Sequence, residues 1–230
     1  MKSIDKGLKS NMRKILCPSI MNLSVDGLKE EILKIDKSDI DIFHLDLMDG
    51  TFVPNFGMSV REIDLVRKYT QKPIDCHMMV MNPGRYVEMM AAHGVNIVYI
   101  HPESELIPSE TLDKIHKLGM KAGIVLNPCT SISQILPLLP QCEYVMMMGV
   151  NPGFAGRDFM DYLIPKFKKM NDVRRDTQLN FNIILDGGAD DRIIRILFHE
   201  CGIEGYVLGK QMYFFQNKSY DECVKIIREI

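Results

Sequence analysis

The chain has 230 residues, 46% of them hydrophobic, so it can bury a sizeable core as one large domain or two modest ones. Its 28 Lys and Arg residues and 30 Asp and Glu residues give a formal net charge of −2, with no long run of one sign. This balance argues against a nucleic-acid or membrane surface as partner, so any phosphate group would have to be bound by local features.

The six cysteines show no CxxC spacing, and several lie in apolar stretches, which is typical of reduced thiols that pack as small hydrophobic groups. The basic N-terminus lacks an apolar segment, and no stretch reaches the length of a membrane span. We therefore expect a soluble cytoplasmic protein, with residues 1–13 as a short N-terminal extension and 14–230 as one domain. A transit peptide is the alternative interpretation of the basic N-terminus.

Short apolar runs alternate with stretches of helical period along the chain, which indicates repeated βα units on a parallel sheet. The predicted strands are Ile15 to Ser19, Ile42 to Leu47, Ile74 to Val80, Ile97 to His101, Ala122 to Leu126, Tyr144 to Val150, Asn182 to Asp186 and Tyr206 to Gly209. The predicted helices are Gly27 to Ile35, Val60 to Tyr69, Arg85 to His93, Ser109 to Leu118, Ile132 to Leu138, Tyr162 to Arg174, Asp191 to Glu200 and Tyr220 to Ile230.

Eight such units favour a single-domain α/β fold, the closed (β/α)8 TIM barrel, over an open doubly wound sheet. An open sheet would more often carry a Gly-rich dinucleotide turn after its first strand, whereas here the first strand is followed by Ser19 to Asn22. We therefore expect chemistry at the carboxyl ends of the barrel strands.

The stretch His44 to Asn55, HLDLMDGTFVPN, is the most informative in the chain. Apolar residues alternate with His44 and Asp46, so a strand would place the imidazole and the carboxylate on one face, pointing into the barrel. The structural alternative is an ordinary buried histidine followed by a turn at Asp49 and Gly50.

Two further strands end in polar residues of the same kind. His77 alternates with apolar residues in PIDCHMMV, and Asp186 ends the strand of FNIILDGG. Either residue alone is more often structural, but with His44 and Asp46 they form a mixed imidazole and carboxylate set. Such a set suits a divalent ion such as Zn²⁺, Mn²⁺, Fe²⁺, Co²⁺ or Mg²⁺ without choosing strongly among them.

Glycines cluster after the last strands. Gly153 and Gly156 lie in NPGFAGRDF, and Asp186-Gly187-Gly188 and Gly209-Lys210 follow later strands. Barrels commonly bind phosphate on these loops through converging backbone N–H groups, although glycines are also ordinary turn formers.

Four segments, HLDLMDGTFVPN, DCHMMV, VNPGFAGRDF and LDGG, occur in an order and at separations that strongly resemble the ribulose-phosphate 3-epimerase family. The resemblance covers Leu16 to Phe214. It implies a (β/α)8 barrel that inverts C3 of a ketose phosphate in carbohydrate metabolism, most often D-ribulose 5-phosphate to D-xylulose 5-phosphate in the pentose phosphate pathway. The partner would be the phosphorylated ketose, and the protein would form a homo-oligomer.

The resemblance also implies roles for individual residues. The catalytic divalent metal ion would be bound by His44, Asp46, His77 and Asp186, with Asp46 and Asp186 also serving as the acid/base pair around a metal-stabilised cis-enediolate. The predicted substrate-binding residues are Ser19, His77, Met48, Met79, Met148, Gly153, Phe154, Ala155, Gly156, Gly187, Gly188, Gly209 and Lys210.

Four features depart from the family pattern or point to another branch. Lys210 stands where Ser or Thr is usual, and Gly149 stands where Thr is common, which predicts a looser wall. The HPE segment from His101 to Glu103 and the FAG of the glycine loop resemble the D-allulose 6-phosphate 3-epimerases. The alternatives are therefore a hexulose 6-phosphate as substrate, a lyase or decarboxylase on a related barrel, or a non-catalytic phosphosugar binder.

Overall fold

Eight parallel strands form one sheet in the computed structural model, which describes residues 13–230. The strands are β1 (Ile15–Pro18), β2 (Phe43–Met48), β3 (Ile74–Met79), β4 (Ile97–Ile100), β5 (Lys121–Leu126), β6 (Tyr144–Met148), β7 (Asn182–Asp186) and β8 (Gly205–Leu208). From β2 to β8 each strand pairs with the next one in sequence, and β1 pairs with β8. The seam between β1 and β2 is joined by a parallel bridge between Ser19 and His44, so the sheet forms the predicted barrel.

A helix follows each strand in the described part of the chain. These helices are α1 (Leu28–Lys37), α2 (Val60–Tyr69), α3 (Val87–Ala92), α4 (Pro108–Lys117), α5 (Ile132–Ile135), α6 (Ile164–Thr177), α7 (Asp191–Ile196) and α8 (Tyr220–Glu229). Short 3-10 turns occupy Ile20–Asn22, Pro83–Arg85, Pro102–Ser104, Leu139–Gln141 and Asp161–Leu163, and a π-helical turn spans Leu197–Cys201. Within residues 13–230, none of the helices has the length and apolar character needed to cross a membrane.

The predicted helices differ from the observed ones mainly at their ends. The helix predicted from Ile132 to Leu138 ends at Ile135, because Pro137 has no N–H with which to continue it. The helix predicted from Asp191 to Glu200 changes to the π-helical turn after Ile196. The predicted extension over residues 1–13 lies outside the described residues except for Arg13, whose guanidinium is 2.8 Å from the Asp39 carboxylate.

Alternation along the strands separates two apolar clusters. Leu45 of β2 and Cys76 of β3 belong to the large cluster packed beneath the helices, whereas Tyr99 and Met146 belong to the smaller cluster inside the barrel. The polar residues of β2 and β3 occupy the alternate positions, and the register pairs His44 with Asp75 and Asp46 with His77. The fold thus brings these four side chains together near one edge of the barrel interior.

Candidate metal centre and substrate cavity

The four predicted metal ligands meet at one point. One ligand atom from each of His44, Asp46, His77 and Asp186 lies within 4.8 Å of all the others. Both histidines are fully buried, and the Asp186 side chain is 14% exposed. Two nitrogens and two carboxylates at these separations form a compact donor set for a divalent cation.

His77 Nδ1 shows that this donor set fits a metal ion. It lies 3.3 Å from Asp46 Oδ1 and 3.2 Å from Asp186 Oδ2, yet among the described atoms it has no partner in hydrogen-bonding geometry. An unpaired buried nitrogen facing two carboxylates is costly unless something binds between them. A divalent cation would accept the nitrogen lone pair and compensate both carboxylates.

His44 is held from behind by a second carboxylate. Its Nδ1 lies 2.6 Å from Asp75 Oδ1, while its Nε2 lies 3.3 Å from Asp46 Oδ1. With the proton assigned to Nδ1, Asp75 fixes the ring orientation and leaves Nε2 free to bind a metal.

The buried groups shift one another's pKa values. Burial opposes the charged form of His44, but Asp75 and Asp46 outweigh it and raise the pKa of the imidazole well above its usual value. Burial also opposes ionisation of Asp46. The electrostatic attraction of His44, together with the short contacts from His44 and His77, outweighs burial and lowers the pKa of that carboxyl. For Asp75 burial prevails over the nearby His44, and its pKa is raised. The imidazoles beside Asp46 thus favour its carboxylate form.

A cavity opens above this centre at the carboxyl ends of the strands. Its lining includes Asp46, Asp186 and Ser19, whose hydroxyl donates a hydrogen bond of 2.7 Å to Asp46 Oδ2. The predicted lining residues found there are Ser19, Met48, Met79, Met148, Gly153, Phe154, Ala155, Gly156, Gly187, Gly188 and Gly209. The methionine side chains are apolar and carry no acidic proton, so they can border a reacting carbon without exchanging protons with it.

A sequence model described as "Ribulose-phosphate 3 epimerase family" matches residues 15–213, which is nearly all of the barrel. The chain belongs to this family. It is an isomerase of the ribulose-phosphate 3-epimerase type that acts on carbohydrates. The family is metal-dependent, in agreement with the four-residue donor set.

Curated relatives named "Ribulose-phosphate 3-epimerase" support the assignment. The relative from Synechocystis is 35% identical over 93% of this chain and 93% of its own length. The relative from Aquifex aeolicus is 36% identical over 87% of this chain and 90% of its own length. The relative from Bacillus subtilis is 33% identical over 86% of this chain and 91% of its own length.

Solved structures show the same barrel in distant proteins. KGPDC from Streptococcus mutans has a TM-score of 0.68 at 11% identity and covers 95% of this chain and 96% of its own. N-(5'-phosphoribosyl)anthranilate isomerase from Pyrococcus furiosus has a TM-score of 0.64 at 9% identity and covers 95% of this chain and 100% of its own. At such low identity these likenesses support the fold alone.

Two residues predicted to bind substrate do not line the cavity of this epimerase. His77 is fully buried, and Lys210 is exposed with its Nζ 5.6 Å from the centroid of the Phe215 ring. The cavity instead includes Arg157 and Gln211, whose amide donates to the Arg157 carbonyl at 3.4 Å. The sequence held a signal for both, since Arg157 directly follows the glycine loop and Gln211 lies two residues after Gly209.

The sequence analysis also missed two supporting residues of the metal centre. Asp75 contacts His44, and the fully buried His101 places its Nε2 2.8 Å from Nε2 of His77. Burial and the nearby His77 lower the pKa of His101 well below its usual value, so its ring is neutral. Alternation could have indicated His101, because Tyr99 of β4 and His101 directly after this strand both face the barrel interior.

The wall formed by Gly149 is closely packed, contrary to the expectation of a looser wall. A Cβ at Gly149 would lie 2.3 Å from the carbonyl oxygen of Gly187 and 2.7 Å from the Phe159 ring. The glycine therefore permits backbone contact between the loops that follow β6 and β7.

Proposed function

We propose that this epimerase interconverts D-ribulose 5-phosphate and D-xylulose 5-phosphate with the aid of one divalent metal ion. The observation that carries the proposal is that Asp46 and Asp186 approach the same nitrogen of His77, at 3.3 Å and 3.2 Å, beside one cavity. Inversion of a carbon centre requires proton removal on one face and proton return on the other, and two carboxyl groups supply both. The curated relatives support the choice of sugar.

The metal ion would be held by His44, Asp46, His77 and Asp186. When bound it would polarise the substrate carbonyl and lower the energy needed to remove the neighbouring C3 proton. The donor set accepts Zn²⁺, Mn²⁺, Fe²⁺, Co²⁺ or Mg²⁺, and metal analysis of the purified protein identifies the ion.

Asp46 and Asp186 divide the proton transfers between them. In one direction the Asp46 carboxylate takes the C3 proton, and Asp186 in its acid form returns a proton to the opposite face. In the reverse direction the roles exchange. The Ser19 hydroxyl, 2.7 Å from Asp46 Oδ2, orients the Asp46 carboxylate for this step.

The phosphate end of the substrate would lie on the glycine loops after β6, β7 and β8. The backbone N–H groups of Ala155, Gly156 and Gly188 have no hydrogen-bond acceptor among the described residues. Arg157 is the one cationic side chain among the described residues that line the cavity. These groups provide donors and a positive charge for a phosphate dianion.

The proposal is tested by following exchange of the C3 proton with solvent deuterium by NMR. D-Ribulose 5-phosphate and D-allulose 6-phosphate are offered separately to the metal-loaded enzyme, to the chelated enzyme and to the metal-restored enzyme. We expect metal-dependent exchange with inversion of the pentulose. Faster inversion of the hexulose would transfer the assignment to the other sugar, and no exchange with either sugar would favour a phosphosugar binder.

The Asp46→Asn and Asp186→Asn variants test the two-carboxylate mechanism. Each removes one proton-transfer group, so inversion should slow by at least about 100-fold. Metal content and circular dichroism are measured on the same samples, so that loss of metal or of fold is separated from loss of the acid/base group. Inversion at the wild-type rate in either metal-loaded variant would contradict the mechanism.

A further inference from the structure

His101 lies directly behind the metal-ligand candidate His77. It follows β4 and is fully buried, with its Nε2 2.8 Å from Nε2 of His77. The two rings are stacked at a centroid distance of 5.0 Å, and Phe52 covers His101 with a centroid distance of 4.6 Å. This contact is built into the core and is separate from the cavity surface.

A contact of 2.8 Å between two ring nitrogens requires one proton between them, so one ring donates and the other accepts. A neutral His77 that binds a cation through Nδ1 carries its proton on Nε2. His77 must then donate, and His101 must accept through an unprotonated Nε2. The proton of a neutral His101 is therefore on Nδ1, on the side where Glu103 Oε2 lies 3.9 Å away.

We propose that His101 is a positioning residue that holds His77 in its Nε2–H tautomer and thereby presents the Nδ1 lone pair to the divalent cation. This inference rests on the metal site of the proposed function, and it adds a residue that touches neither metal nor substrate. Outer partners of this kind orient histidine ligands and strengthen metal binding.

The two histidine ligands are supported by different chemistry. His44 faces the carboxylate of Asp75, whereas His77 faces a neutral imidazole. A second carboxylate behind His77 would add negative charge to a buried centre that already contains Asp46, Asp75 and Asp186. His101 fixes the tautomer without that cost in electrostatic repulsion.

Glu103 anchors the outer end of the arrangement. Its Oε1 accepts hydrogen bonds from the Asn127 amide at 3.1 Å and from the Thr130 hydroxyl. These contacts fix the carboxylate near Nδ1 of His101, where it favours a proton on that nitrogen. The order from the metal centre outward is therefore His77, His101 and Glu103. The last step is electrostatic, because Nδ1 of His101 has no hydrogen-bond partner among the described atoms.

The test compares His101→Gln with His101→Leu. The Gln amide oxygen can take the place of Nε2 as acceptor, whereas Leu has similar bulk and no acceptor. Zn²⁺ affinity is measured by competition with a chromophoric chelator. We expect His101→Leu to bind Zn²⁺ about 10 to 100 times more weakly than wild type, and His101→Gln to stay within about threefold of it.

Nitrogen-15 NMR of the histidine rings in the Zn²⁺-loaded protein gives a readout that does not depend on turnover. Wild type and His101→Gln should show His77 protonated at Nε2 alone, while His101→Leu should lose this single tautomer. His93→Leu is the control, because His93 pairs with the exposed Asp64 at 2.6 Å on the outer surface of the barrel, and the change should leave Zn²⁺ affinity unchanged.

Wild-type Zn²⁺ affinity and tautomer in His101→Leu would overturn the inference, as would equal weakening in the Gln and Leu variants. If His101→Leu does not fold, His101→Met fills the space with a more flexible apolar chain and is used in its place. Failure of the wild-type protein itself to bind Zn²⁺, Mn²⁺ or Co²⁺ would instead overturn the metal site of the proposed function.

Discussion

Asp49 fastens the loop after β2 through three backbone N–H groups. Its Oδ1 accepts from Thr51 at 2.8 Å and Phe52 at 2.9 Å, and its Oδ2 accepts from Met81 at 2.8 Å. Burial opposes ionisation, but these hydrogen bonds outweigh it and lower the pKa of Asp49. Because Phe52 packs on His101, the carboxylate also supports the ring that covers His101.

We expect Asp49→Asn to destabilise the protein at pH 7 by about 1 kcal/mol, since the amide NH2 cannot accept from Met81. A lowered folded pKa gives stability that is present above the ordinary value of 3.8 and is lost as pH falls through the folded pKa. Urea unfolding should therefore show a difference from wild type at pH 7 that shrinks below pH 3.8. Asp26→Asn, at an exposed carboxylate, is the control, and a difference that grows in acid would contradict this account.

The sequence was sufficient to place the candidate ligands on one face of the barrel strands, but it did not reveal the residues that pack behind them. Alternation within a strand assigns His44 and Asp46 to one face, and the same rule applies to His77. Which side chain stands behind a ligand depends on the register between strands, as in the pairing of His44 with Asp75. That register is set by the closed barrel and is absent from any one segment.

The loops after β6 and β7 act as one element because their backbones touch. Gly149 N–H donates to the Asp186 carbonyl at 2.7 Å, and a Cβ at Gly188 would lie 2.4 Å from the backbone nitrogen of Phe159. Gly188 also has φ of +73°, which favours glycine. Any side chain here must displace backbone that borders the proposed phosphate position.

Gly188→Ala should raise the KM for the phosphorylated ketose about 10-fold with a smaller effect on kcat, because the loops move while the carboxylates stay on their strands. The control is Gly119→Ala, where φ is +79° but a Cβ would meet nothing within 4 Å. It should cost about 1 kcal/mol of stability and leave KM unchanged. Steady-state kinetics and thermal unfolding of both variants decide the question, and an unchanged KM in Gly188→Ala would contradict the proposed role of the loop.

At the scale of the whole molecule, the alternation of strands and helices predicted the barrel correctly. Eight apolar runs and the absence of a Gly-rich turn after the first strand were sufficient for the topology. The individual contacts that close the barrel were not visible in the sequence, because they join distant segments. The N–H groups of Asp41 and Ile42 donate to the Leu16 carbonyl at 3.0 Å and 3.3 Å, across the seam between β1 and β2.

Arg228 of α8 ties the last helix to this seam. Its Nη2 donates to Asp41 Oδ2 and to the Asp39 carbonyl, each at 2.8 Å, and its Nη1 donates to the Lys14 carbonyl. Asp41 Oδ2 in turn accepts from the Leu16 N–H at 2.9 Å. The Arg228 side chain is 17% exposed, so its hydrogen bonds are largely shielded from water.

Arg228→Met keeps the apolar stem but removes every donor, and it should lower the free energy of unfolding by about 2 to 3 kcal/mol. The effect should be smaller in an Asp41→Asn background, because the two groups share one network. Arg195→Met is the matched control: Arg195 pairs with Asp191 at 2.8 Å with its side chain 52% exposed, and its loss should cost less than about 1 kcal/mol. Urea unfolding of Arg228→Met, Asp41→Asn and their double variant measures the coupling energy between the two residues, and Arg195→Met is unfolded in parallel. Equal losses from Arg228→Met and Arg195→Met would show that barrel closure does not depend on the last helix.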